Sequence, residues 1–168
     1  MRLEPARWRI RPAQPADVPD IRRLIRCLAE YERLLPEVTA TEDDIQRALF
    51  APHPRAHVIL ADIDAHPVGI ALFYYTFSSF KASANIFLED LFVEPAHRGT
   101  GLGLALMRHL AHRAVTENCG RMEWRVLDWN QPSIDFYQRL GAEKIRDWHT
   151  RQLGGEALLA LAQGSSHG

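Results

Sequence analysis

Cysteine is too scarce here for a disulfide framework: Cys27 and Cys119 are the only two in 168 residues. No apolar run approaches the ~20 residues that cross a bilayer. The basic start, MRLEPARWRI, lacks the apolar core of a secretory signal, so a cytoplasmic chain is expected. Neither sign of charge is in excess. The formal net charge of -1 gives no electrostatic reason to expect nucleic acid or an anionic membrane as partner. Internal repeats and Pro/Gly/Ser-rich linkers are absent too. Eight histidines do not make a metal site: His53 and His57 straddle Pro54, and His109 and His112 lack an evident third ligand. They read as solvated surface, as do Arg121, Arg125, Arg139 and Arg151. What remains is ordinary globular composition, 46% hydrophobic and 24% charged, long enough to bury one core. A single domain over residues 1–163 with a flexible, polar tail at 164–168 is expected.

Hydrophobic periodicity orders the elements. Trp8–Arg11 alternates as a short strand. Val18, Ile21, Leu24, Ile25, Leu28 and Tyr31 recur at helical spacing, with Asp17 as N-cap and Pro19 in the permitted first turn. Thr41-Glu42-Asp43-Asp44 reads as a capping box opening a second helix. Strands follow at 57–61, 68–77 and 85–93, joined by connections that suit antiparallel hairpins. A helix over 102–118 is stopped by Cys119-Gly120. Another strand spans 122–127, and Asn130 caps a helix over 131–140 that Gly141 ends in a left-handed conformation. A last strand at 144–153 and a closing helix at 156–162 complete the chain. The class is α/β (α+β), a mixed and mostly antiparallel central sheet flanked by helices, and not the repeated alternation of a Rossmann domain.

The strand Ile86–Val93 runs into Arg98-Gly99-Thr100-Gly101-Leu102-Gly103, and a helix follows. Such a turn presents unpaired backbone N–H groups at the positive end of a helix dipole, which makes an anion site; its glycines could also serve only to make a tight turn. A Walker loop needs a Lys after the last glycine, and none is there. The dinucleotide fingerprint needs a different last spacing and an N-terminal strand. The Arg/Gln-x-x-Gly-x-Gly/Ala turn that holds the pyrophosphate of coenzyme A matches at every defined position.

With Ile10–Ala13, Leu28–Glu32, Leu88–Val93, Val126–Asn130 and Phe136–Ala142 in the same order, the chain resembles the GNAT superfamily of N-acetyltransferases. Within it, the chain is most similar to the branch that acetylates diamines (spermidine/spermine) and thialysine. The resemblance implies a GNAT fold with a splayed strand pair that binds acetyl-CoA as cosubstrate, a small amine as the other substrate, no metal, and a homodimer. It implies backbone pairing of the cofactor arm along Leu91, Phe92 and Val93, with the pyrophosphate held by Arg98, Gly99, Thr100, Gly101, Leu102 and Gly103. Asn130, Ser133 and Tyr137 would also touch the cofactor. A coenzyme A-binding module without turnover and a protein N-acetyltransferase are the alternatives.

Acetylation of an alkylamine with pKa ~10.4 costs about 4–5 kcal/mol for deprotonation at pH 7, and the departing thiolate needs a proton. By resemblance Glu89 helps accept the amine proton, directly or through water, and Tyr137 protonates the thiolate. From spacing alone Tyr137 reads equally as a core aromatic beside Phe136. Glu89 and Asp90 are neighbours on a strand, so their side chains are expected on opposite faces, only one of them toward a given cleft. The substrate-side residues implied are Tyr31, Glu32, Ser78, Phe80, Glu89, Asp90, Asp147 and Trp148. This chain departs from the polyamine enzymes at Ser78-Ser79-Phe80, where they have Asp-Pro-Trp, and at Arg146-Asp147-Trp148, where they have a glutamate before the tryptophan. Both departures favour a short diamine or a thialysine-like amino acid over spermine.

Overall fold

The computed structural model describes residues 8–146 and 148–164. By internal contacts the chain divides into two units, one through Arg125 and one from Val126. In the first unit five strands, β1 (Trp8–Pro12), β2 (His57–Ile63), β3 (His66–Ser78), β4 (Ser83–Val93) and β5 (Met122–Trp124), form one sheet in the order β1-β2-β3-β4-β5. The pairs are antiparallel except β4 with β5. Helices α1 (Val18–Tyr31), α2 (Glu42–Phe50) and α3 (Leu102–Thr116) belong to this unit.

Strand alternation sends Val58, Leu60, Ile70 and Phe92 to one face. There they bury with Val18, Ile21, Leu24 and Leu28 of α1 and Ile45 of α2. The opposite face takes α3, which buries Leu102, Leu106, Met107, Leu110 and Ala114. Gly69 lets α3 come close: a Cβ there would lie 3.3 Å from Phe92 O and 3.4 Å from Leu106 Cδ1. The β2–β3 hairpin turns on two residues, Asp64 and Ala65, both at positive φ, as the twist of a tight hairpin requires.

The Thr41–Asp44 capping box forms in both directions. Asp17 sits at the α1 N-cap position but makes no side-chain cap bond. Its carboxylate accepts instead from Arg11 and from the Gln14 N–H. The last paired strand ends at Trp124, not Leu127.

In the second unit, α4 (Gln131–Arg139) and α5 (Gly155–Ala162) are the regular elements among the described residues. The expected strand at 144–153 does not form there; its Ile145, Trp148 and Leu153 are exposed, so an apolar pattern is present without a paired strand to bury it. Gly141 ends α4 at φ 84, as expected. No helix among the described residues is long and apolar enough to cross a membrane.

Candidate active site

The glycine turn takes the conformation its sequence demands. Gly99 and Gly101 have φ of 75 and 88, and nothing lies within 4 Å of where a Cβ would sit on either. Glycine is needed for the backbone angle, and the space outside the turn is open. Gly101 is the N-cap of α3 and supplies no side chain to the first-turn amides, which remain available to an anion. Thr100 closes the turn by donating its hydroxyl to His97 O at 2.7 Å. Leu102 and Phe92 bury their side chains, so only their backbone atoms can reach a ligand.

Beside this turn β4 has an unpaired edge. Its pairing with β5 stops at Leu88–Trp124, and the described residues of the first unit place no strand beyond that point. Glu94 N–H bonds Val68 O on β3. Because amides alternate sides along a strand, Val93 and Leu91 present theirs to the open edge. Arg98 reaches the same edge, its Nε donating to Val93 O at 2.9 Å. Its guanidinium carbon lies 4.8 Å from the Tyr31 ring centroid and 5.4 Å from that of Phe92. An open strand edge leading to an uncapped helix N-terminus fits an extended amide-bearing arm ending in a pyrophosphate, the shape of coenzyme A.

The acidic side chains converge on the α1 face of the sheet. The β3–β4 register slips between Leu72, opposite Asp90, and Phe73, opposite Leu88. Glu89 is therefore the extra residue of a β-bulge, and the strict alternation expected of Glu89 and Asp90 does not hold. Glu89 instead interacts with both Asp90 and the Tyr74 hydroxyl. Burial, followed by the nearby charges of Glu89 and Glu32, pushes Asp90 up to about 6. Burial also raises Glu32, at the C-cap of α1. Among the described residues neither carboxylate forms a salt bridge. Such a pocket attracts a cation.

The structure thus brings Tyr31, Glu32, Glu89, Asp90 and Arg98 to one face. Ser78 and Phe80 lie elsewhere, at the β3–β4 hairpin; Ser78 is six positions past Leu72 on β3, about 20 Å at the rise of a strand, and Phe80 is 98% exposed. In the second unit Asn130 is buried and accepts a bond from the Ser133 N–H at 3.4 Å, which caps α4. Tyr137 lies half-buried on α4, its ring 5.3 Å from that of Phe136. Trp148 is 81% exposed, and Asp147 lies outside the described residues. Among the described residues no three His, Cys, Asp or Glu side chains cluster as metal ligands.

Three pocket residues escaped the sequence reading. Tyr74 and Phe87 stack across β3 and β4 with centroids 5.2 Å apart, and the Arg125 guanidinium lies 5.2 Å over the Phe87 ring. Arg125 is exposed, as expected of surface charge, but it also has an aromatic partner beside the carboxylates. An arginine just past an apolar strand was the available signal.

Residues 19–142 match the acetyltransferase (GNAT) family. The chain is 37% identical to a thialysine N-epsilon-acetyltransferase of Bos taurus, over 91% of this chain and 96% of that protein. It is 30% identical to an L-ornithine N5-acetyltransferase of Arabidopsis thaliana, over 91% and 87%. Among solved structures, an integron cassette protein from the mobile metagenome of V. cholerae superposes with a TM-score of 0.78 at 31% identity, over 93% of this chain and 98% of that one. A matched family domain, full-length relatives and a shared fold agree with the glycine turn and the open strand edge: the chain is an acetyltransferase and belongs to the GNAT family.

Proposed function

We propose that the protein transfers an acetyl group from acetyl-CoA to a primary amine of a small diamine or thialysine-like amino acid, by direct attack in a ternary complex. The observation that carries this reading is the Glu32–Glu89–Asp90 cluster, whose carboxylates form no salt bridge among the described residues and which lies on the same sheet as the open edge of β4. When bound, acetyl-CoA supplies the acetyl group as a thioester that accepts the amine and releases a thiolate.

The residues divide the remaining work. Leu91 and Val93 hold the cofactor arm through their backbone, and the amides from Gly99 to Gly103, with Arg98, hold its pyrophosphate. Asp90 and Glu32 hold the cationic end of the amine. Glu89, exposed where the others are half-buried, accepts the proton of the attacking amine, directly or through water. Tyr137 donates its hydroxyl proton to the thiolate. The named activities of the thialysine and ornithine relatives support an acceptor with a terminal alkylamine.

Thiol release from acetyl-CoA, measured across putrescine, spermidine, spermine, ornithine, lysine and thialysine, tests the assignment. Turnover with short acceptors is expected. Replacing Tyr137 by Phe is expected to lower kcat at least ~100-fold while the acetyl-CoA KM moves little. Tight coenzyme A binding with no turnover on any amine would replace this reading by that of a coenzyme A-binding module.

A further inference from the structure

The acceptor pocket is not uniformly acidic. Arg125 follows directly on β5, and its guanidinium lies over Phe87, which in turn stacks on Tyr74. The Tyr74 hydroxyl interacts with both Arg125 and Glu89. A short line of groups therefore runs from Glu32 and Asp90 through Glu89 and Tyr74 to Arg125, negative at one end and positive at the other.

A site built only to draw in a polyamine gains nothing from this cation. A guanidinium there repels each ammonium of such a substrate, and the repulsion is strongest near a partly desolvated pocket. Nor is Arg125 consumed by its neighbours. One phenol oxygen cannot occupy five N–H donors, and the residue is exposed. The guanidinium lies over the Phe87 ring, and a guanidinium fork recognises a carboxylate through two parallel hydrogen bonds.

We propose that Arg125 is a specificity residue that binds the α-carboxylate of the acceptor, and that the acceptor is an α-amino acid bearing a terminal side-chain amine, not a plain diamine or a polyamine. This rests on the acetyl-transfer function proposed above. In such an amino acid several bonds separate the α-carboxylate from the terminal amine, so Arg125 holds the carboxylate at one end of the line while the terminal amine lies at the other, held as a cation by Asp90 and Glu32 and giving its proton to Glu89. The residue acts on selection of the acceptor and has no part in moving the proton.

Two pairs of acceptors differ by the carboxylate alone: ornithine with putrescine, and lysine with cadaverine. Thiol release gives kcat/KM for all four with the wild-type protein, Arg125→Leu and Arg125→Lys. The wild-type protein is expected to prefer each amino acid over its diamine by at least about tenfold, the worth of one charge-assisted contact. Arg125→Leu is expected to lower kcat/KM for the amino acids by about 10- to 100-fold and to raise it several-fold for the diamines, inverting the ratio. Arg125→Lys is expected to fall between, keeping the charge without the fork. A wild-type preference for the diamines, or an Arg125→Leu protein that loses the same factor on both members of a pair, would overturn the proposal and leave Arg125 as a support for Tyr74. Turnover of diamines and amino acids alike would overturn this inference alone. Failure of every amine to turn over would overturn the function on which it rests.

Discussion

Two carboxylate clusters in the first unit are built in opposite ways. At the β1 end, Asp17 and Asp62 share the guanidinium of Arg11, which reaches Asp17 at 2.7 and 2.9 Å through two nitrogens and Asp62 through a third. Arg11 holds the Asp17 carboxyl below its ordinary range. At the β4 bulge, Glu32 and Asp90 form no salt bridge among the described residues, and both are raised. The first cluster is complete within the fold. Under the proposed function, the second is completed by the cationic substrate. The difference separates charge that ties elements together from charge kept for a ligand, and it is visible in the direction of each shift.

The largest expected effect comes from removing the resident cation. Arg11→Met leaves Asp17 and Asp62 partly buried without a cationic partner, Asp17 keeping only the Gln14 N–H; Asp62 Oδ1 already has no partner. Denaturant unfolding is expected to show a loss on the order of 3 kcal/mol at pH 7, with kcat/KM for the acceptor unaltered. The pH dependence has a definite sign. A carboxyl whose folded pKa is depressed adds stability above its unfolded value near 3.8, and that stability is lost as pH falls through the lower folded value. Arg11→Met is expected to remove this acid limb. An unchanged acid limb would mean that Arg11 does not govern Asp17.

Asp90→Asn is expected to act in the reverse direction. Because Asp90 is raised from 3.8 to about 6, its charged form costs the folded state stability at neutral pH. That cost is full above about 6 and vanishes as pH falls toward 3.8. The neutral amide is expected to stabilise the protein at pH 7 by on the order of 2 kcal/mol, while raising the acceptor KM by about tenfold or more. Thermal unfolding and thiol-release kinetics on the same sample check both halves. Destabilisation together with loss of activity would make Asp90 a structural residue, and the contrast with Asp17 would fall.

The two clusters also differ in how far the sequence shows them. Strand and helix identities through Thr116 follow from period 2 and period 3.6 patterns, and the turn at Gly99 and Gly101 follows from the residue type that positive φ requires. Backbone-built features of this kind are local, so they can be read locally. The acceptor pocket is not local. Its bulge is a one-residue slip between Leu72 and Phe73 on β3 and Leu88 to Asp90 on β4, and it leaves no mark on the apolar pattern of either strand. Arg125 read as surface because its partner, Phe87, is 38 positions away. The stretch 144–153 failed for the opposite reason: its apolar residues Ile145, Trp148 and Leu153 are spread through it, but a strand forms only where a neighbour offers an edge.

The smallest effect expected here asks whether the pocket carboxylates act on one another. Glu32 contributes to the rise of Asp90, though less than burial or Glu89 does. Glu32→Gln removes one negative charge and leaves the volume. Asp90 then ionises more easily, so its titration is expected to move down. The readout is the acceptor KM against pH. In the wild-type protein it is expected to rise as pH falls through about 6, where Asp90 gains its proton and its grip on the ammonium weakens. In Glu32→Gln the same rise is expected at lower pH, on top of a pH-independent increase from the lost contact. The acetyl-CoA KM is expected to keep its pH dependence. An increase in acceptor KM with no movement of the inflection would mean that Glu32 binds the substrate without tuning Asp90, and the two carboxylates would then be separate contacts, not one coupled site.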